Sequence, residues 1–278
     1  GWRTMPNLVG MVEFGSFTRF PRLGNQGTVI WRDVSTRSTQ NRVGLKNPGA
    51  CAAAQFLAQN HEHLPTTFGI NIAVSPGVDD PQTEQNEILD ALGFFLKQKI
   101  YPSWFTLNLS CPNTEDDPQG NQTESKTRQL CGVVVDFLRK QSSEIGHRIP
   151  LWVKISPNLS ENQYQVLMSA FHEVGVRAVI ATNTLPAFSP ENPQEVTGLG
   201  GGRLHPSALS AAVLLQREKV ENGYQVDVIG CGGVMDGKSY QAFKNAGVNV
   251  VQYWSALIYR GPLAAAQIMR EARRNTHH

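Results

Sequence analysis

The segment best equipped for chemistry is a cysteine set between amides, Asn108-Leu-Ser-Cys-Pro-Asn113. A thiol with an ordinary pKa of about 8.5 is a few per cent thiolate near neutrality, enough to take a proton from a C–H bond held against it. The residue types alone leave three roles open for Cys111: catalytic base, redox thiol and structural thiol. The other three cysteines read as packing residues. Cys131 falls on a helical pattern beside Val133 and Val134, Cys51 sits among alanines, and Cys231 lies in a glycine turn. No two form a CxxC pair and no histidine cluster joins them, so no metal site is expected.

Further polar groups fall at the ends of short apolar runs. Asn71 lies within Gly69-Ile-Asn-Ile72, Asn108 and Asn113 flank the cysteine, and Asn183 and Thr184 follow Ala181-Thr182. An asparagine offers both a donor and an acceptor, which suits a planar heterocycle bearing carbonyls and ring nitrogens. Any one of them taken singly suits a turn equally well. Lys154, inside Val153-Lys-Ile155, is aimed opposite to its apolar neighbours by strand alternation, and such lysines are seldom buried without a partner. Were that partner a flavin, the ammonium would stabilise negative charge in the reduced ring. Two glycine runs, Gly198-Leu-Gly-Gly-Gly-Arg203 and Gly230-Cys-Gly-Gly233, together with a helix start near Ser255, offer successive backbone N–H groups to a phosphate.

The elements that must position these groups alternate between strand and helix. Strand patterns begin at Val9, Phe68, Trp104, Leu151, Ala178, Val226 and Val248, and all but the first are followed closely by a helical pattern. One of these helices opens on Ser160-Glu-Asn-Gln163, the signature of a capping box. This rhythm predicts a parallel sheet covered by helices, and seven strands are one short of a (β/α)8 barrel. The rival, a doubly wound open sheet, loses its best support because the glycines at Gly230 lack the spacing of a dinucleotide fingerprint. No composition break divides the chain, so one barrel domain is expected over residues 1–278, with a small hairpin excursion around residues 15–40.

Composition narrows the functional classes. The 278 residues carry 25 Lys and Arg against 23 Asp and Glu, a net charge of +2, which does not suit a protein organised around nucleic-acid phosphates. Lysine and arginine do not gather with aromatics in a binding stripe, so no nucleic-acid partner is expected. No run reaches the roughly 20 apolar residues of a membrane span, and the first residues lack the pattern of a signal peptide. With four sparse cysteines, the expected location is a reducing cytoplasm.

With these motifs in view, the sequence resembles the dihydroorotate dehydrogenase family, flavin enzymes of pyrimidine biosynthesis, over nearly its whole length, from about Val9 to Pro262. Asn108–Asn113 looks like the family's central signature, Val153-Lys-Ile155 like its flavin lysine strand, and Ala181-Thr-Asn-Thr184 like its substrate segment. Gly198–Gly201, Ile229–Gly233 and Val251-Gln-Tyr-Trp-Ser-Ala-Leu257 look like its FMN phosphate loops. The resemblance implies that Asn41, Asn108, Asn113, Asn183 and Thr184 face dihydroorotate or orotate. It implies that Asn71, Lys154, Thr182, Gly201, Gly232, Gly233, Trp254 and Ser255 hold FMN, and that Cys111 is the base. A second electron acceptor and a homodimer follow from the same resemblance.

Within the family, cysteine at this position marks class 1 and serine class 2. Cys111, Asn41 and Gly200–Gly202 lean to class 1, whereas Val12–Pro21 resembles the class 2 version of its region about as well. Two features depart from the pattern. The family's opening strand, of the Ala-Gly-Phe/Leu-Asp-Lys type, has no counterpart before Val9, which matches the missing eighth strand. The expected reason is a segment outside the given residues or on another chain. Lys46, in Gly44-Leu-Lys-Asn47, stands where the family usually has proline or asparagine, and is expected to replace the lost lysine opposite a substrate carboxylate. Two other readings are a non-catalytic FMN-binding barrel and a dehydrogenase acting on another cyclic dihydropyrimidine.

Overall fold

The structure, a computed structural model, describes residues 4–109 and 124–275. Cys111 and Asn113 lie outside the described residues. The strands are β1 (Val12–Phe17), β2 (Ile30–Asp33), β3 (Ser38–Asn41), β4 (Phe68–Ala73), β5 (Trp104–Asn108), β6 (Leu151–Ile155), β7 (Ala178–Ala181), β8 (Leu185–Phe188), β9 (Val196–Gly201), β10 (Asp227–Cys231) and β11 (Val250–Gln252). The helices are α1 (Ala50–Gln59), α2 (Pro81–Lys97), α3 (Glu124–Ile145), α4 (Glu161–Val174), α5 (His205–Asn222), α6 (Gly237–Asn245), α7 (Ser255–Arg260) and α8 (Ala264–Asn275).

Seven strands form one parallel sheet in the order β1-β4-β5-β6-β7-β10-β11, the sequential order that repeated right-handed βα units give. This is the (β/α)8 architecture expected from the sequence. Among the described residues the outer edges of β1 and β11 pair with no strand, and the ring of an eight-stranded barrel closes between those two edges.

Alternation along each strand sorts the side chains. Phe105, Leu107, Leu151, Val153 and Ile155 point outward into the main apolar core with the helices, including Phe95 of α2 and Phe171 of α4. Ala178, Ile180 and Ile229 point inward and form a smaller cluster with Trp152 and Cys231. Inside the barrel, the rings of Trp104 and Trp152 stack with centroids 4.0 Å apart. Gly69 makes room for them: a Cβ there would fall 2.1 Å from the Trp104 indole. The capping box at α4 is formed, Ser160 N–H donating to Gln163 Oε1 at 2.8 Å and Gln163 N–H to Ser160 Oγ at 3.3 Å.

Three features differ from the sequence reading. The excursion hairpin β2–β3 is half of a four-stranded antiparallel sheet, order β2-β3-β9-β8. Gly198–Gly201, read as loop from its glycines, is the end of strand β9. Its backbone is held by β3, with Asn41 opposite Gly198 and Ser38 opposite Gly201. Glycine lowers intrinsic strand preference, but a fixed partner strand supplies the missing order. Cys51, expected to be buried, is only half-buried on α1.

Candidate active site

The carboxyl ends of β6, β7, β10 and β11, roofed by β3 and β9, enclose a cavity of about 280 Å³. Lys154 enters it from β6 between Val153 and Ile155, both fully buried on the other face. Thr182 and Asn183 enter just beyond β7, with Thr184 beside them. Asn183 Nδ2 donates to Asn108 Oδ1 at 3.1 Å, and Asn183 Oδ1 accepts from Thr184 N–H at 2.9 Å, so this amide is fixed at both ends. Asn108 Nδ2 in turn donates to Ser16 Oγ at 3.4 Å. Across the cavity Asn41 donates through Nδ2 to Gly198 O at 3.2 Å.

The other end of the cavity is built from backbone. Gly200 and Gly201 of β9 face Gly232 and Gly233 beyond β10, with Ser255 at the start of α7. A Cβ on Gly200 would stand 3.3 Å from Thr39 Oγ1 and 3.4 Å from Ser255 Oγ. One on Gly233 would stand 2.5 Å from Gly201 O. The hydroxyls of Thr39 and Ser255 lie 2.9 Å apart. Such a wall, with no side chains in the way and hydroxyls converging on it, suits a phosphate approached closely by peptide groups. Trp254 stands at the rim, 56% exposed.

The expected ligand-contacting residues are thus largely gathered in one place; of the described ones, Asn108, Asn71 and Lys46 are outside the cavity lining, Asn108 being bonded to Asn183 within it. Asn71, on β4, is buried below the Asn108 layer, and its Oδ1 is buried without a hydrogen-bond partner. Lys46 is exposed beside the turn at Gly24, away from the cavity lining. Three contributors were missed from the sequence. Thr39 and Cys231 line the cavity, and Glu13 of β1 holds Asn71 from below. Glu13 carried a legible signal, a lone acid between Val12 and Phe14, the same signal that marks Lys154. Among the other thiols, burial pushes Cys131 up to about 12, consistent with a packing role. Burial also pushes up the phenol of Tyr253, at the cavity edge. Among the described residues, no three His, Cys, Asp or Glu side chains gather as a metal site, and no helix is long and apolar enough to cross a membrane.

A sequence model of the family described as dihydroorotate dehydrogenase matches residues 3–275. The chain belongs to the dihydroorotate dehydrogenase family. Members of this family are flavin-dependent oxidoreductases of pyrimidine biosynthesis. Among relatives, the chain is 33% identical over 264 residues to the dihydroorotate dehydrogenase (quinone) of Nitrosomonas eutropha, covering 93% of this chain and 74% of the relative. It is 32% identical over 276 residues to the enzyme of the same name from Nitrosomonas europaea, covering 96% and 77%. In fold it is similar to the Eimeria tenella dihydroorotate dehydrogenase solved with ferulenol, with a TM-score of 0.81 at 23% identity, over 96% of this chain and 75% of that one.

Proposed function

We propose that this chain oxidises dihydroorotate to orotate with FMN as the bound flavin, and that a quinone takes the electrons away. The observation that carries the reading is the single cavity joining Lys154, Thr182 and Asn183 to the glycine wall of Gly200, Gly201, Gly232 and Gly233. Its parts suit FMN. The glycine wall would take the phosphate, with Ser255 beside it, and the unpartnered buried Asn71 Oδ1 is an acceptor in want of a donor. Trp254 at the rim and Lys154 at the strand end would complete the flavin seat. The quinone name shared by the Nitrosomonas relatives supports that acceptor and agrees with the class 2 character of Val12–Pro21, while Cys111 is the class 1 residue.

Bound FMN would supply the hydride-accepting chemistry for C6 of the substrate. The residues of the chain arrange the rest. Asn41, Asn108, Asn113, Asn183 and Thr184 would grip the pyrimidine edges and fix which C–H bonds face the flavin and the thiol, and orientation of this kind lowers the barrier. Cys111 as thiolate takes the C5 proton. Lys154 supplies fixed positive charge at the strand mouth, where negative charge builds up during reduction.

The absorbance spectrum tests this directly. Purified protein should be yellow, and its flavin absorbance should bleach on anaerobic addition of dihydroorotate. Colour that persists under substrate would favour a non-catalytic flavin barrel, and bleaching by an uncharged dihydropyrimidine but not by dihydroorotate would favour a different substrate.

Lys46 provides a narrower test. If its ammonium meets the substrate carboxylate, Lys46→Met should raise KM for dihydroorotate by at least about tenfold with kcat unchanged, the mark of lost uniform binding. An unchanged KM would leave Lys46 as a surface lysine, as its exposure in the free protein also allows.

A further inference from the structure

Glu13 is a charged group inside the barrel that the reaction above does not use. It projects inward from β1, and three donors converge on it. Asn71 Nδ2 donates to Oε1 at 2.9 Å, while Trp104 Nε1 and Thr106 Oγ1 donate to Oε2 at 2.9 and 2.5 Å. An ionised carboxylate only accepts, so each of these neighbours must turn a donor toward it. For Trp104 and Thr106 this changes little. For Asn71 it decides which way the amide faces: the NH₂ is committed to Glu13 and Oδ1 is turned the other way. That Oδ1 is buried and unpartnered, on a side chain that is 4% exposed. A buried amide oxygen without a donor is costly, and a native protein keeps one where a ligand supplies the donor.

The placement fits a ligand-facing role. Gly15 packs directly on Asn71, so that a Cβ there would lie 2.5 Å from Asn71 O, and the next residue, Ser16, accepts from Asn108. Asn108 is bonded to Asn183 in the cavity wall. Asn71 thus sits beside Thr106 in the sheet register, one inward-facing layer below Asn108, whose amide is bonded to the cavity wall.

We propose that Glu13 is a positioning residue. Its carboxylate locks the Asn71 amide with the carbonyl oxygen toward the flavin, so that the site accepts a hydrogen bond there instead of giving one. This rests on the reading that the chain binds FMN, whose ring and ribityl chain both carry donors.

Glu13→Gln tests it with little change of shape. A glutamine can leave its oxygen toward Trp104 and Thr106, which keeps both of those bonds. Its NH₂ then faces the NH₂ of Asn71, and the clash is relieved when Asn71 flips. The flip satisfies Oδ1 internally and presents a donor to the ligand, where an acceptor is needed.

The measurement is FMN affinity by fluorescence titration of deflavinated protein, with circular dichroism as the check on folding. Wild type should bind, and failure of wild type to bind would overturn the FMN reading itself. Glu13→Gln should bind FMN about tenfold or more weakly. Thr106→Val, which removes a donor to Glu13 Oε2 and leaves the Asn71 bond to Oε1 in place, should stay within about threefold of wild type. In an Asn71→Ala background, Glu13→Gln should add less than about twofold, because its route to the flavin is gone. If wild type binds and Glu13→Gln binds equally well, or if its effect persists undiminished beside Asn71→Ala, Glu13 does not act through Asn71 and the assignment fails.

Discussion

Replacing Cys111 with alanine should lower kcat for dihydroorotate by about 10²- to 10⁴-fold, the range for loss of a positioned general base, while FMN stays bound. The expectation follows from the division of labour in the cavity. The pyrimidine would be held by amides, and amides neither take nor give a proton at neutral pH. Of the side chains that line the cavity, Lys154 is an amine, Thr39, Thr182, Thr184 and Ser255 are aliphatic hydroxyls, and Tyr253 is a phenol that burial pushes above its ordinary pKa. Cys231 also lines it, but it belongs to the inward cluster of Ile180 and Ile229 in the barrel interior. On the proposed reading the Asn108–Asn113 segment brings the base through Cys111, a residue type with an ordinary pKa of about 8.5.

The pH profile separates this role from a packing role. A thiol base gives a kcat that rises with pH toward the thiol's pKa, since the thiolate is the active form. The alanine variant should lose that limb and retain its flavin spectrum. Cys231→Ala should keep the limb. A variant lacking Cys111 with wild-type kcat and an unaltered pH profile would remove the residue from proton transfer.

How far the site could be read from the sequence depended on the range of the contacts. Lys154 was legible because period-two alternation between Val153 and Ile155 is a local pattern, and β6 pairs on both sides as that pattern requires. The α4 capping box was legible for the same reason, since both of its bonds lie within four residues. The glycine wall was only half legible. The types at Gly198–Arg203 suggested phosphate, but the strand geometry of β9 is imposed by β3 and by β8, and sequence pattern gives no such pairing. Thr39 carried no signal at all: it reaches the site by meeting Ser255, 216 residues away. Glu13, a lone acid between Val12 and Phe14, is a local signal too, but its meaning depends on three donors brought to it by β4 and β5.

Gly233→Ala should weaken flavin binding severely and destabilise the protein by about 2–5 kcal/mol, and a second glycine shows why the two effects belong together. Gly233 has φ +66°, and its new Cβ would lie 2.5 Å from Gly201 O, 2.6 Å from His205 Cβ and 2.9 Å from His205 N. Gly223, after α5, has the same φ of +66° with nothing within 4 Å of a built Cβ. Both substitutions carry the left-handed backbone cost, about 1–2 kcal/mol. Gly233→Ala also forces two backbone segments apart, an overpacking cost of about 1–3 kcal/mol. The segments it separates are β9 and the start of α5, so the displaced carbonyl of Gly201 belongs to the proposed phosphate wall. Gly223→Ala should therefore lower Tm modestly and keep full colour, whereas Gly233→Ala should lower it further and bind FMN at least about a hundredfold more weakly, the loss of roughly two charge-assisted hydrogen bonds. Equal FMN affinity in the two variants would show that the phosphate is held elsewhere, since backbone strain is the one effect they share.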